Sequence, residues 1–384
     1  MKKEEKSDRI KLSANLFYVE EIAMNSSFQN LIDLDDRPRE WWDKIISLGS
    51  AIKDNPKEYA KKCDGKILAT LFYEPSTRTQ MSFQTAMLRL GGTLIGFDNP
   101  ETSSVAKGEN LKDTTKIVSS YADIMVMRNP LEGSAKAASL TADCPIINAG
   151  DGGHLHPTQT LTDLLTLSRE KGRLTGLTVG LCGDLKNGRT VHSLCKALSR
   201  YPDNKFVFIS TDELAMPNYV KEILDSRNCP YEEIPSLDDA IGNLDVLYMT
   251  RVQQERFSSM EEYERLKNVY CLDNDKLAKA KADLIVLHPL PRLDEIPVNT
   301  DHDPRTKFFE QAKYGMYVRM ALILTMIEES ENPVPQQMLK GHIHDELTCT
   351  NPKCITHKEE YLPKSFIETE KEYICEFCDE RIAK

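Results

Sequence analysis

The chain has no apolar run approaching the ~20 residues needed to cross a bilayer. Its first residues, MKKEEKSDRIKLSANLF, mix charges where a secretory signal would place an apolar core. The expectation is therefore a cytoplasmic protein. The chain also lacks an excess of basic residues: 49 Lys and Arg against 60 Asp and Glu leave a net charge of -11. That excludes a general duplex binder, which leans on clustered cations. Any anionic substrate must then meet a pocket whose positive charge is local. Internal repeats at solenoid period and low-complexity tracts are missing as well, which excludes a repeat array or a tail-like linker protein. What remains is an ordinary composition, 40% hydrophobic and 28% charged over 384 residues. At ~150 residues per domain this is enough for two or three full cores.

Apolar stretches of strand length alternate with amphipathic helical ones. Trp41, Ile45, Leu48 and Ile52 recur at spacings of four, three and four, which predicts a helix packed on a sheet. Ile67 to Tyr73, Thr93 to Phe97, Ile124 to Met127 and Pro145 to Asn148 read as strands of a first set. Leu177 to Cys182, Lys205 to Ile209, Asp245 to Met249 and Leu284 to Leu287 read as a second, with helical segments between them. Such alternation implies right-handed crossovers and parallel sheets covered on both faces. The fold class is α/β: two successive αβα domains, 1–156 and 157–306, a long helix with its linker over 307–335, and a small β domain over 341–384.

One stretch organises the rest. The strand ending at Tyr73 is broken by Glu74-Pro75, and from Met81 the apolar residues Met81, Phe83, Ala86, Met87 and Leu90 recur at near-helical spacing until Gly91-Gly92. Ser76, Thr77, Arg78 and Thr79 thus sit where a strand hands over to a helix. Unpaired backbone N–H groups and the positive end of the helix dipole make that point an anion seat. The same residues also describe a plain helix cap beside a surface arginine. Arg128, His156, Arg189, Arg251 and Leu290 likewise follow predicted strands, at the end of a parallel sheet where ligands collect. Residues 98–110, DNPETSSVAKGEN, form a polar loop long enough to be functional.

The segments FYEPSTRTQMSFQTAMLRLGG, MRNP, HPTQTLTDLLTL, GRTVHS, YMTRVQQER and HPLPRLDEI resemble, in order and spacing, the catalytic chain of aspartate transcarbamoylase. The resemblance covers roughly residues 10 to 330. It implies transfer of the carbamoyl group of carbamoyl phosphate to the amino group of L-aspartate, the committed step of pyrimidine synthesis. By resemblance Ser76, Thr77, Arg78 and Thr79 hold the phosphate, Arg128 and His156 polarise the carbonyl, and Gln159 accepts from the carbamoyl NH2. Arg189, Arg251 and Gln253 take the aspartate carboxylates, and Leu290 offers its backbone carbonyl; His288, without the resemblance, reads as plain support for the proline turn. Ser103 and Lys107 are supplied to a neighbouring subunit's pocket, which implies a homotrimer or larger assembly with shared sites. No organic cofactor is expected. Leu155 stands where the family commonly has Gln, and Gln254 where it often has Lys. Ornithine would need an acidic or neutral receptor for its second amine, whereas Arg251 and HPLPR match the aspartate type. A non-catalytic assembly protein on this fold is the other reading, and the full set of anion-binding residues argues against it.

Ten cysteines divide in two. Cys63, Cys144, Cys182, Cys195, Cys229 and Cys271 lie scattered in patterned segments, as buried thiols do. Cys349, Cys354, Cys375 and Cys378 form two close pairs separated by twenty residues, the pattern of a four-thiolate structural zinc site with no open position; two disulfides are the alternative, which a reducing cytoplasm disfavours. A 44-residue tail buries little core of its own, so Zn2+ is expected to supply its folding energy. ELTCTNPKCITHKEE and YICEFCDERI resemble the zinc domain of the aspartate transcarbamoylase regulatory chain. The stretch from Ser330 to Lys340 leaves no room for that chain's nucleotide-binding portion. The expectation is a fusion without a nucleotide site: titrating CTP or ATP should give no saturable binding and leave the aspartate dependence unchanged, and a saturable shift would refute it.

Overall fold

A computed structural model of the chain describes residues 28–252, 259–266, 269–334, 336–337 and 339–384. The apolar patch at Leu16 to Ile22, and Gln253 and Gln254, lie outside the described residues. The chain forms two compact units. The first holds 28–36, Lys57–Leu155 and Leu322–Lys384, and the second Arg37–Pro56 and His156–Ala321.

In the first unit β1 (Ile67–Phe72), β2 (Thr93–Phe97), β3 (Ile124–Asn129) and β4 (Ile146–Asp151) form a parallel sheet in the order β2-β1-β3-β4. β1, β3 and β4 are almost wholly buried, which is why they read as unbroken apolar runs. β2 is an edge strand and mostly exposed. The helix after β1, Thr77–Arg89, buries Phe83, Ala86 and Met87 and ends on buried Leu90. Met81 departs from the expected pattern, being 61% exposed. At ~100° per residue it points about 200° away from Phe83, so the two never shared a face.

The second unit builds a five-stranded parallel sheet from β5 (Thr178–Cys182), β6 (Lys205–Ile209), β7 (Tyr231–Glu233), β8 (Val246–Met249) and β9 (Ile285–Leu287), in the order β7-β6-β5-β8-β9. The helix Arg39–Asp54 meets another helix, Pro157–Lys171, rather than a sheet: Arg169 donates to Ser50 at 2.9 Å and makes a two-pronged pair with Asp54. The helix Phe308–Glu331 starts in the second unit and ends in the first. Among the described residues no helix is long and apolar enough to cross a membrane.

The C-terminal segment adds an antiparallel sheet, β10 (His342–Ile343), β11 (Ser365–Glu368), β12 (Glu372–Cys375) and β13 (Arg381–Ala383). As its small size suggests, the tail shares a core rather than building one of its own. Its Ile355, Phe366, Phe377 and four cysteines form one buried apolar cluster with Leu111, Met127, Ala135 and Ala138 of the first unit. Backbone bonds seal the joint, Glu132 N to Lys353 O and Ile355 N to Glu132 O, both 2.9 Å. Gly133 adopts φ 83, and a Cβ there would stand 2.6 Å from both the Cβ and the carbonyl oxygen of Phe377. Gly133→Ala should therefore lower the thermal unfolding midpoint, the backbone strain alone costing ~1–3 kcal/mol. An unchanged midpoint would show that the joint is slack.

Candidate active site

In each parallel sheet the winding reverses once, and strands on either side of the reversal open a crevice at their carboxyl ends. In the first unit the reversal falls between β1 and β3. The helix after β1 starts at Thr77, with Ser76 at its cap position making no side-chain capping bond. The first-turn N–H groups therefore keep their donors for a ligand, flanked by Thr77, exposed Arg78 and Thr79. Arg128, near the end of β3, lies in register with Phe72, and Tyr73 N donates to its carbonyl at 2.8 Å. Its guanidinium is fixed on two sides, Nη1 to Ala149 O at 3.2 Å and Nη2 to Glu74 Oε1 at 2.7 Å. Nε, buried, has no acceptor among the described residues. The sheet thus brings Ser76 to Thr79 and Arg128 to neighbouring strand ends.

Ser103 and Lys107 sit in the loop after β2, which differs from the irregular segment its sequence suggests. Asn99 caps one 3-10 turn, Pro100–Thr102, and Ser103 caps a second, Ser104–Lys107, which Gly108 ends at φ 91. The Ser103 hydroxyl also donates to Pro100 O at 2.7 Å. Lys107 is exposed, and neither residue hydrogen-bonds to Arg78 or Arg128 among the described residues.

The second unit carries the remaining candidates. His156 caps the helix Pro157–Lys171, is 8% exposed, and has Nδ1 3.4 Å from Thr158 Oγ1. Gln159 donates its amide nitrogen to Asp163 Oδ1 at 2.8 Å, which leaves its oxygen to accept from a substrate. Here the sheet reverses at β5, with β6 and β7 on one side and β8 and β9 on the other. Arg189 opens the helix after β5, and Arg251 follows β8. Leu290 follows β9 at φ 55, a left-handed conformation that a branched side chain adopts only when its surroundings impose it. His288 imposes it: Nδ1 accepts from Leu290 N and Nε2 meets Glu295 Oε1, both at 2.8 Å, while His288 N donates to Gln311 Oε1 at 3.0 Å.

Sequence reasoning missed the group at the centre of this unit. Asp163 is fully buried and accepts from Gln159, from Gln311 Nε2 at 2.6 Å and from Tyr248 Oη at 3.1 Å. It links the helix of His156 and Gln159 to the turn of Leu290. The available signal was an acidic residue one turn beyond Gln159 among buried apolar neighbours.

The four tail sulfurs lie within 4.8 Å of one another and are buried. Cys349 and Cys378 Sγ stand 3.5 Å apart and Cys354 and Cys375 Sγ 3.8 Å. Those separations exceed an S–S bond of ~2.05 Å and match the ~3.8 Å edge of a tetrahedron with ~2.3 Å zinc–sulfur bonds. The donor set fits zinc. Cys63, Cys144, Cys182, Cys195 and Cys229 are buried as expected; Cys271 is partly exposed.

A model of the carbamoyl-phosphate-binding domain of aspartate/ornithine carbamoyltransferases matches residues 29–169, and one of their Asp/Orn-binding domain matches 175–326. The metal-binding domain of the aspartate carbamoyltransferase regulatory chain matches 341–384. The aspartate carbamoyltransferase catalytic subunit of Clostridium perfringens strain SM101 is 59% identical over 303 residues, 79% of this chain and 99% of the relative. Among solved structures, the catalytic subunit of aspartate transcarbamoylase from M. jannaschii superposes at TM-score 0.75 with 46% identity, over 79% of this chain and 99% of that one. The Trypanosoma cruzi enzyme in complex with carbamoyl phosphate and aspartate does so at 0.73 with 37% identity, over 77% and 96%.

Burial pushes the Asp163 carboxyl up to about 7, against the hydrogen bonds from Gln311, Gln159 and Tyr248 and the field of buried Arg319. The folded protein holds this proton while the unfolded chain releases it near pH ~4. The stability it contributes is complete below pH ~4 and is lost as pH rises through about 7. Asp163→Asn should flatten that part of the stability–pH curve in urea melts taken between pH ~4 and ~8. A slope as steep as the parent's would contradict it.

Proposed function

The chain belongs to the aspartate/ornithine carbamoyltransferase family, and from that premise we propose how its residues divide the work of an aspartate carbamoyltransferase. It transfers the carbamoyl group of carbamoyl phosphate to the amino group of L-aspartate, giving N-carbamoyl-L-aspartate and phosphate. The observation that carries this reading is the placement of arginines at both sheet reversals, Arg78 and Arg128 in the first unit and Arg189 and Arg251 in the second.

Carbamoyl phosphate needs fixed cations for its phosphate and donors for its carbonyl. Ser76, Thr77, Thr79 and the first-turn N–H groups hold the phosphate, and Arg78 meets the bridging oxygen as leaving-group charge grows. Arg128 and His156 polarise the carbonyl while the amine of aspartate attacks its carbon. Gln159 accepts from the carbamoyl NH2, an orientation its bond to Asp163 supports. Arg189, Arg251 and Gln253 grip the two aspartate carboxylates, which suit the fork of a guanidinium. Leu290 offers its backbone carbonyl to the reacting groups. The departing phosphate takes the amine proton, so this chemistry calls for neither a dedicated base nor an organic cofactor.

The four-cysteine site holds structural zinc, having no open position for a reacting water. Thiols kept for a metal suit a reducing, cytoplasmic setting. A homotrimer that shares its sites is supported by apolar residues left uncovered on the first unit. Met81 and Leu88 lie on the helix after β1 and Ile95 on the edge strand β2, and all are exposed. The loop of Ser103 and Lys107 follows that same edge, which supports the reading that it serves a neighbouring subunit.

Arg78→Ala should reduce turnover to carbamoyl aspartate by ~10²–10³, the effect of removing one preorganised donor to a developing oxyanion. Mixing it with Lys107→Ala chains and reassembling should restore part of the activity, because some mixed sites escape both substitutions. A loss below about tenfold would remove Arg78 from that role, and no recovery on mixing would count against shared sites.

A further inference from the structure

The segment 151–155 that runs into His156 contains Gly152 and Gly153 and follows Gly150, so its backbone has little preference of its own. Its order comes partly from within. Asp151 Oδ1 accepts from Leu155 N at 3.0 Å and from Asn148 Nδ2 at 3.1 Å, while Oδ2 accepts from Gly133 N at 2.8 Å. The rest comes from the zinc module, through two side-chain relays. Asn351, between the ligands Cys349 and Cys354, donates to Glu132 Oε2 at 2.6 Å, and Glu132 Oε1 accepts from Gly153 N at 3.0 Å. Asp379, next to the ligand Cys378, meets His154 Nε2 at 3.0 Å, and His154 Nδ1 meets Asp151 Oδ2 at 3.0 Å. One pair of zinc ligands therefore places Asp379 directly against the loop that carries His156, and the other places Asn351 against Glu132, which in turn meets that loop.

We propose that the zinc module is an internal brace of the catalytic loop, with Asn351, Glu132, His154 and Asp379 acting as positioning residues for His156. This rests on the reading of His156 as the group that polarises the carbamoyl carbonyl. The brace works through hydrogen bonds between neutral and charged partners already paired in the folded chain, and it assigns the module a role in turnover as well as in folding. The C. perfringens catalytic subunit is matched over 99% of its length by 79% of this chain, and the zinc segment is an addition to that body. The brace is accordingly a property of the fused chain.

The test uses the full-length chain loaded with zinc. Asp379 sits at φ 60, so Asp379→Gly removes the carboxylate without straining the turn, and Asp379→Asn keeps an acceptor there. The double variant Asp379→Gly/Asn351→Ala should lose about tenfold or more in kcat, the scale on which small misplacements of catalytic groups act, with KM for aspartate changed by less than about twofold. Its Gly153 amide should exchange with solvent about tenfold faster, while the amides of β3 stay protected. Restoring Asn351 and placing Asn at 379 should recover most of the kcat. Unchanged kcat and unchanged exchange in a double variant that still binds its zinc would overturn the brace. Should the double variant lose its metal, Glu132→Ala, outside the zinc module, carries the same expectation for the Gly153 amide and decides the matter. A wild-type chain that makes no carbamoyl aspartate would instead defeat the functional reading, an outcome the exchange measurement separates from failure of the brace.

Discussion

Everything in this structure follows from where two parallel sheets reverse their winding. A strand order of β2-β1-β3-β4 or β7-β6-β5-β8-β9 sends the loops on either side of the reversal in opposite directions and leaves the carboxyl ends of two strands uncovered. Strands buried on both faces allow no charge along their length, so function is confined to their ends. That confinement suits a chain with net charge -11. An overall negative field repels anionic substrates at long range, but screening limits it to about 8 Å in physiological salt. Guanidiniums at a partly dry strand end act below that distance.

Holding such cations in place has a cost that the interior offsets with hydrogen bonds. Arg128 is anchored to Ala149 O and Glu74, and the Leu290 turn is held by His288, itself tied to Glu295 and Gln311. Asp163 collects three donors in a fully buried position, where an unpaired carboxylate would be driven to take up a proton. Cutting any one of its partners leaves a buried acceptor unmet, which costs more than the bond itself contributes. Within each unit the positioning groups are held for that reason: they have no inexpensive alternative arrangement.

Much of this was legible in the sequence, for reasons that separate what was seen from what was not. The core of β1 is one apolar run, and the Phe83, Ala86, Met87 and Leu90 spacing is a local property, so both appear without knowledge of the fold. The six motifs pointed to the family, and the candidate residues could be placed at strand ends because they follow apolar runs directly; the order of the strands, and so the two reversals, has no local signal. Met81 failed because apolar character does not by itself say which face of a helix a residue occupies. The helix Ser134–Ser139, SAKAAS, was invisible: it has no large apolar residue to mark a period. Asp163 joins Gln159 to Gln311, 148 residues further on than itself, and no local pattern encodes such a pairing.

The zinc segment shows the same limit from the other direction. Forty-four residues with four ligands predict a module folded by its metal, and the geometry of the sulfurs agrees. Size alone says that so short a segment encloses little apolar surface of its own, and leaves open what covers the rest. Yet Phe366, Phe377 and Ile355 complete their burial against Leu111, Ala135 and Ala138 of the first unit, and Lys136 reaches the buried carboxylate of Glu376 at 3.1 Å. Burying an acid with its cation costs hydration of both, which is offset only where further hydrogen bonds meet the carboxylate, and Lys340 N, Gly341 N and Ser365 Oγ all donate to Glu376. Metal ligation and docking would therefore stabilise one another: a metal on the four sulfurs would fix the loops that present Phe377 and Glu376, and the joint hides apolar surface that the module cannot cover alone. A segment added to a catalytic body in this way becomes part of its core, and its loops inherit contacts with whatever lies beneath them.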